Sequence, residues 1–135
     1  ITDFPNEKTA NMPGCIAIPH LGASTEESED NCAQMAATEL IDYIENGNIT
    51  NSVNLPEITL PRSGKYRICI IHKNVPNMIT AITGIVATND INIENMLNKS
   101  RGDYAYTMLD VSDVDSEHII AKLEEIDGVI RARVI

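Results

Sequence analysis

The chain has too few cysteines, and too widely spaced, to build anything with them. Cys15, Cys32 and Cys69 are odd in number and contain no C-x-x-C pair, so neither a zinc site nor a disulfide framework is suggested. A reducing cytoplasm fits best. Long apolar runs are also missing: nothing approaches the ~20 residues needed to cross a bilayer, and Ile1-Thr2-Asp3-Phe4-Pro5 lacks the basic and apolar regions of a signal peptide. A soluble chain with no membrane partner is expected. The seven glycines, at 14, 22, 47, 64, 84, 102 and 128, never stand two apart, which excludes a G-x-G-x-x-G dinucleotide loop. Positive charge is scarce, with 10 Lys+Arg against 20 Asp+Glu and a net charge of -10, so nucleic acid would be repelled. At 135 residues, two complete catalytic domains will not fit.

Residues 1 to 19 alternate short apolar runs with turn residues, and Cys15 to Ile18, closed by Pro19, reads as a short buried strand. Ser24 and Glu27 match a capping box, and Glu26, Glu27, Glu29 and Asp30 place negative charge at a helix start. A helix is predicted from Thr25 to Asn46, stopped by Gly47. Cys32, Met35, Ala36, Leu40 and Ile44 recur along it at three and four residues, flanked by Ala33, Ala37 and Ile41. Such a stripe needs a cover that the preceding residues are too few to provide, so a missing domain or a partner chain is expected. Residues 48 to 65, with two prolines and no helical period, read as an extended linker.

Beyond the linker the signals are regular. Tyr66 to His72 is an isoleucine-rich strand, and Asn74 with Pro76 opens a helix bearing Met78, Ile79, Ile82, Ile85 and Val86. Ile91 to Asn98 and Tyr104 to Val111 form a hairpin around Ser100 to Asp103, with Gly102 at its turn. Ser116 to Ile126 is a second helix, and Val129 to Ile135 the last strand. The order βαββαβ predicts an α+β, ferredoxin-like sandwich with helices on one face of an antiparallel sheet.

Two groups of residues could carry chemistry. The string Pro19-His20-Leu21-Gly22-Ala23-Ser24-Thr25-Glu26-Glu27 sets an imidazole before a helix N-terminus, where a proton donor could face a cleft. By spacing alone, a loop histidine in a capped turn accounts for it better. In the second group, His72 at the end of strand one, Asn74 at the helix entrance and Asn92 on strand two could converge on one rim. There, amides and a helix N-terminus would suit an amino-acid zwitterion. An N-cap asparagine and a polar strand end remain the plainer alternative.

The His20 string closely resembles the catalytic-histidine signature of the D-isomer-specific 2-hydroxyacid dehydrogenases, and the helix followed by Asn51-Ser52-Val53-Asn54-Leu55-Pro56 resembles the segment returning to their substrate domain. The resemblance implies that His20 exchanges a proton while hydride passes to or from nicotinamide, and that His20, Leu21, Gly22 and Ala23 lie along the cofactor, NAD. Asp3-Phe4-Pro5-Asn6-Glu7 resembles the stretch holding the partner glutamate, which makes Glu7 the candidate. Residues 67 to 135, through Ile-His-x-Asn-x-Pro, Asn-Ile-Asn-Ile and the closing Gly-Val-Ile-Arg-Ala-Arg, resemble the ACT domain that ends bacterial-type D-3-phosphoglycerate dehydrogenases. In those enzymes two copies pair and bind L-serine at the shared edge. His72, Asn74 and Asn92 fall on the contacting positions, and Asn77 stands where ligand-binding ACT domains usually have glycine.

The resemblance thus divides the chain into a C-terminal piece of an incomplete α/β dehydrogenase region (1–56), a linker (57–66) and an ACT domain (67–135). It implies a homodimer or higher homo-oligomer that senses L-serine or another small amino acid, as part of an NAD-dependent enzyme of serine biosynthesis. NAD belongs to the longer parent; no cofactor and no metal are expected on this segment. An ACT domain of another 2-hydroxyacid dehydrogenase, kept for oligomerisation alone, and an adaptor unrelated to dehydrogenases are the alternatives. Because the dinucleotide loop and a substrate-anchoring arginine are missing, the isolated chain is predicted to be inactive. Mixing it with NAD and 3-phosphoglycerate should produce no NADH, and turnover above a buffer blank would refute this.

Overall fold

The computed structural model describes all of residues 1–135. They form two compact units, Ile1–Ala37 and Thr38–Ile135. The larger is built on a four-stranded sheet of β1 (Tyr66–Lys73), β2 (Ile93–Arg101), β3 (Tyr104–Val111) and β4 (Val129–Val134). Its order is β2-β3-β1-β4, with every neighbouring pair antiparallel. Side chains alternate across a strand, so Ile68, Ile70, Leu109, Val111 and Ala132 face one way. They pack against Ile82 and Val86 of α3 (Met78–Thr88) and Ile119 and Leu123 of α4 (Ser116–Glu124). This is the expected βαββαβ sandwich, with both helices on one face.

Some boundaries differ from the sequence reading. Helix α3 starts at Met78 rather than near Asn74 or Pro76, because its N-cap is Asn77, in the left-handed region at φ 68. Strand β2 lies later than 91–98 and reaches Arg101, which leaves only Gly102 and Asp103 in the turn. Gly102 has φ +58 there.

Residues 48–65, read from the sequence as an extended linker, do more than connect: part of them packs on the other sheet face. That face presents Cys69, Tyr106 and Met108, and a sheet face of this kind must be covered. Ile49, Ile58 and Leu60 cover it, each at most 9% exposed, and Ile49 and Ile58 bridge through paired backbone hydrogen bonds of 2.9 and 3.0 Å. The segment before the sheet is therefore part of its core.

At the edge of this cluster two charges are wholly buried. Arg67 grips Asp110 on the neighbouring strand through Nε (2.6 Å) and Nη2 (2.8 Å), both side chains being 0% exposed. Further partners surround the pair. Arg67 Nη1 donates to the Asn46 carbonyl at 2.7 Å, and Asp110 Oδ2 accepts from Ser63 N–H and Oγ at 2.9 and 3.0 Å. Asn46 ends α2 (Glu26–Asn46), whose last turn holds no basic residue. The sheet supplies the charge instead: Arg133 donates to the Tyr43 and Ile44 carbonyls and lies over the Tyr43 ring at 4.0 Å. Two close approaches permit this packing. Gly47, at φ +74, would put a Cβ 2.5 Å from Cys69 Sγ, and Gly64 would put one 2.7 Å from the Val111 backbone.

In Ile1–Ala37, α1 (Glu7–Ala10) is capped by Asn6, and Thr2 bridges Ala17. The expected buried strand at Cys15 to Ile18 is reduced to that bridge, with Ile16 59% and Ile18 44% exposed. One bridge gives these side chains nothing to pack on. The cap of α2 is Thr25, whose hydroxyl accepts from Ser28 N–H at 3.2 Å, not Ser24. Helix α2 buries no residue along its length.

The ion pair yields a prediction with a pH signature. Burial alone would raise the Asp110 pKa, but hydrogen bonds from Arg67 and Ser63 outweigh it and hold the carboxyl below its ordinary value. Its stabilising contribution is therefore present above the unfolded carboxylate value of about 3.9 and is lost as pH falls through the lowered folded value. Asp110→Asn should cost about 3–5 kcal/mol in urea denaturation at neutral pH, since it strands a buried guanidinium. The gap from wild type should shrink below about pH 4; an equal gap at both pH values would show that the carboxylate charge is not what stabilises.

Candidate functional site

Strand β1 delivers His72 to the helix-covered face and Asn74 to the loop that follows. His72 is 2% exposed, so it is not the open rim group expected from its strand-end position. Both ring nitrogens are engaged: Nδ1 lies 2.8 Å from the Lys73 carbonyl and Nε2 2.9 Å from Thr107 Oγ1. Asn74, instead of capping α3, is tied to the β2–β3 hairpin. Its N–H donates to the Asp103 carbonyl at 2.8 Å, and Nδ2 to the Gly102 carbonyl at 3.1 Å. The exposed Asn77 begins α3 with no side-chain capping bond. Its φ of 68 explains how it stands where glycine is usual. Asparagine is among the few residues that enter the left-handed region at small cost.

Asn92 does not join them. Strands β1 and β2 are both antiparallel to β3 and therefore parallel to each other. Lys73 and Arg101 both face Tyr104, whereas Tyr66 and Ile93 both face Val111. Asn92, exposed just before Ile93, thus lies at the Tyr66 end, about 20 Å along the strands from His72. The expected convergence of His72, Asn74 and Asn92 within one chain is ruled out by strand register. What does lie beside Asn74 is the hairpin of Arg101, Gly102 and Asp103, where Arg101 Nη1 also holds the Ser52 carbonyl at 2.6 Å. The sequence signal for this was the glycine turn, read earlier only as a connection.

In the smaller unit, His20 Nδ1 sits 2.7 Å from Asp3 Oδ2, and its ring centroid is 4.3 Å from that of Phe4. Both members of the pair are about half exposed. Glu7 lies instead in the first turn of α1, where it favours the helix dipole, so the carboxylate on His20 in this structure is Asp3. Leu21, Gly22 and Ala23 form an exposed turn closed by Ser24 N–H on the Leu21 carbonyl at 3.0 Å.

Elsewhere, a cavity of about 470 Å³ is lined by Asn89, Asp90, Ile91, Asp113, Val114, Asp115, His118 and Ile119, and holds none of the expected site residues. Burial raises the Cys69 thiol pKa, with a hydrogen bond to Tyr106 opposing it. The Tyr106 hydroxyl is pushed up by burial and donates to the Gly47 carbonyl at 2.8 Å. Both are packing groups. No cluster of His, Cys, Asp or Glu is arranged to hold a metal ion.

Residues 68–131 match the family model described as the AHAS small subunit-like ACT domain. The chain carries an ACT domain. It is also similar over most of its length to D-3-phosphoglycerate dehydrogenases. That of Haemophilus influenzae is 36% identical over 121 residues, 89% of this chain and 30% of the relative. That of Escherichia coli K12 is 33% identical over 144 aligned residues, 98% and 35% respectively. The chain thus spans about a third of the length of these curated relatives. Among solved structures, the ACT domain from GTP pyrophosphokinase of Chlorobium tepidum is 20% identical, with a TM-score of 0.46 over 52% of this chain and 95% of that one. No helix here is long and apolar enough to cross a membrane.

The backbone of Asn77 makes the ACT loop testable without any ligand. Asn77→Gly should be close to neutral, whereas Asn77→Val, β-branched at positive φ, should cost ~1–2 kcal/mol in denaturant titrations of the full chain. Equal stability of the glycine and valine variants would show that the left-handed conformation is not required.

Proposed function

We propose that the chain is the effector-sensing, self-pairing portion of an NAD-dependent D-3-phosphoglycerate dehydrogenase, with L-serine as the effector. The observation that carries this reading is the register. His72 and Asn74 occupy one end of the ACT sheet and Asn92 the other, so these positions can complete one site only if two copies share it. Strand β2 is the means. It is a nine-residue edge strand with one side unpaired, and such an edge is a template for another strand. Antiparallel pairing of two β2 strands about a twofold axis sets the start of one beside the end of the other. Asn92 of the second copy then reaches the end that holds Arg101, Asn74 and His72.

There the effector carboxylate would meet the start of α3 near Asn74 to Asn77, and its amino and hydroxyl groups the side-chain amides. Neutral hydrogen bonds contribute about 0.5–1.5 kcal/mol net each, which suits weak, roughly micromolar to millimolar binding of a metabolite. In the longer protein, His20 would serve as the acid/base that exchanges the proton of the substrate hydroxyl, with Glu7 or the Asp3 seen beside it as its carboxylate. Leu21, Gly22 and Ala23 would border the NAD held by the rest of the enzyme. A second reading, oligomerisation without an effector, is favoured by the exposed Asn77 side chain at the entrance of α3.

Mixing variants separates these readings. Asn74→Ala and Asn92→Ala chains should each fail to bind serine in calorimetry. Unfolded together and refolded at equal ratio, they should regain about a quarter of the wild-type sites, because half the pairs are mixed and each mixed pair holds one intact site. If wild type binds and the mixture does not, the site is not shared; if wild type gives no heat yet is dimeric by light scattering, the module only pairs.

A further inference from the structure

The sheet has two edges, β2 and β4, and a free strand edge is a template for another strand. The pairing proposed above uses β2. If β4 paired as well, each copy would carry a neighbour on both sides and the sheet would have no end. A closed assembly therefore needs β4 shut. The ladder shows which of its groups face out. Arg67 and Ile135 exchange both backbone hydrogen bonds, at 2.8 and 2.9 Å, and the next alternate residues, Cys69 and Ile71, stand opposite Arg133 and Arg131. Hydrogen-bonded and non-hydrogen-bonded pairs alternate in an antiparallel ladder, so Ala132 and Val134 turn their N–H and C=O groups away from β1.

We propose that Glu124 is the residue that closes the β4 edge, leaving β2 as the edge on which a second copy can pair. Leu123 is buried in the same apolar cluster as Ala132, which anchors the end of α4 over β4, and Glu124 is the last residue of that helix. From there its Oε1 accepts the Ala132 N–H at 3.1 Å and lies 3.9 Å from Arg131 Nε. The carboxylate thus supplies the acceptor that an incoming strand would bring, and its charge repels that strand's carbonyl oxygen. Its side chain is 39% exposed, so it is not held there by burial. On β2 the comparable contact is local and neutral. Asn95 Oδ1 accepts from the adjacent Met96 N–H at 2.9 Å, and an amide that also carries donors can turn to bond an arriving strand. The inference rests on the reading above only for what pairs on β2; the closure of β4 stands on its own geometry.

The test compares wild type with Glu124→Ala in the full chain, an exchange that suits the end of a helix. Hydrogen exchange is run on dilute and on concentrated protein and read residue by residue by NMR after quenching, with light scattering on the same samples. In dilute wild type the Ala132 amide should exchange about tenfold more slowly than in dilute Glu124→Ala, as fits a bond to a part-exposed carboxylate. Wild type should keep one mass at all concentrations. The alanine variant should grow, reaching roughly twice the wild-type mass or more as the second edge pairs. As it grows, its Ala132 and Val134 amides should become slow together. Equal Ala132 exchange in the two dilute proteins would overturn the proposal, and so would a freed Ala132 amide in a variant that never exceeds the wild-type mass. A wild type that stays a single chain at every concentration would count against pairing through β2, while the difference between the two proteins would still decide whether Glu124 shuts β4.

Discussion

The buried pair of Arg67 and Asp110 is the constraint on which the rest of the larger unit depends. Neither charge has access to water, so each must find all its partners inside the protein, and the partners come from four places: β1, β3, the Ser63 turn and the end of α2. A slip of β1 against β3 by one residue would move one charge to the helix face and strand both. The pair therefore selects register more than it adds stability. Buried pairs are weak stabilisers when compared with apolar packing, but they are costly to break. Donating hydrogen bonds to Asp110 raises the Arg67 pKa further, so the guanidinium stays charged.

From that register the other positions follow. Gly64 must lie against the β3 backbone so that Ser63 can reach Asp110, and Gly47 must turn tightly after α2 so that the Asn46 carbonyl reaches Arg67. The apolar side chains between these two fixed points, Ile49, Ile58 and Leu60, then land on Cys69, Tyr106 and Met108. The sheet is covered on both faces, by helices on one and by a mostly irregular segment on the other. The ACT domain is thus extended at its N-terminal side by an integral layer reaching back to Thr38.

Much of this was legible in the strands and helices. The runs of isoleucine in β1, the Ile and Val spacing of α3 and the glycine at the hairpin each state a local preference that the tertiary structure keeps. Less legible was the layer from residue 48 to 60. Its contacts lie far away in sequence, and a stretch broken by Pro56 and without a period carries no sign of what its side chains will touch. A signal was nevertheless present. Arg67 and Asp110 are charges set inside otherwise apolar strands, and an antiparallel pairing that brings them together fixes the register by itself. Thr25 was likewise hidden beside Ser24, since two adjacent hydroxyls can cap the same turn and only the backbone decides between them.

The site was legible as a set of residue types and not as a geometry. His72, Asn74 and Asn92 suit an amino acid chemically, and a linear reading treats the end of strand one and the start of strand two as neighbours because one short helix joins them. A helix that crosses between parallel strands does the opposite: it returns the chain to the end where the first strand began. With β3 inserted between them, β1 and β2 point the same way, so the end of one and the start of the other must stand a full strand length apart. Asn92 therefore cannot face Asn74 in the same copy. Any contact between these two positions requires two copies, and the topology dictates this before any interface is seen.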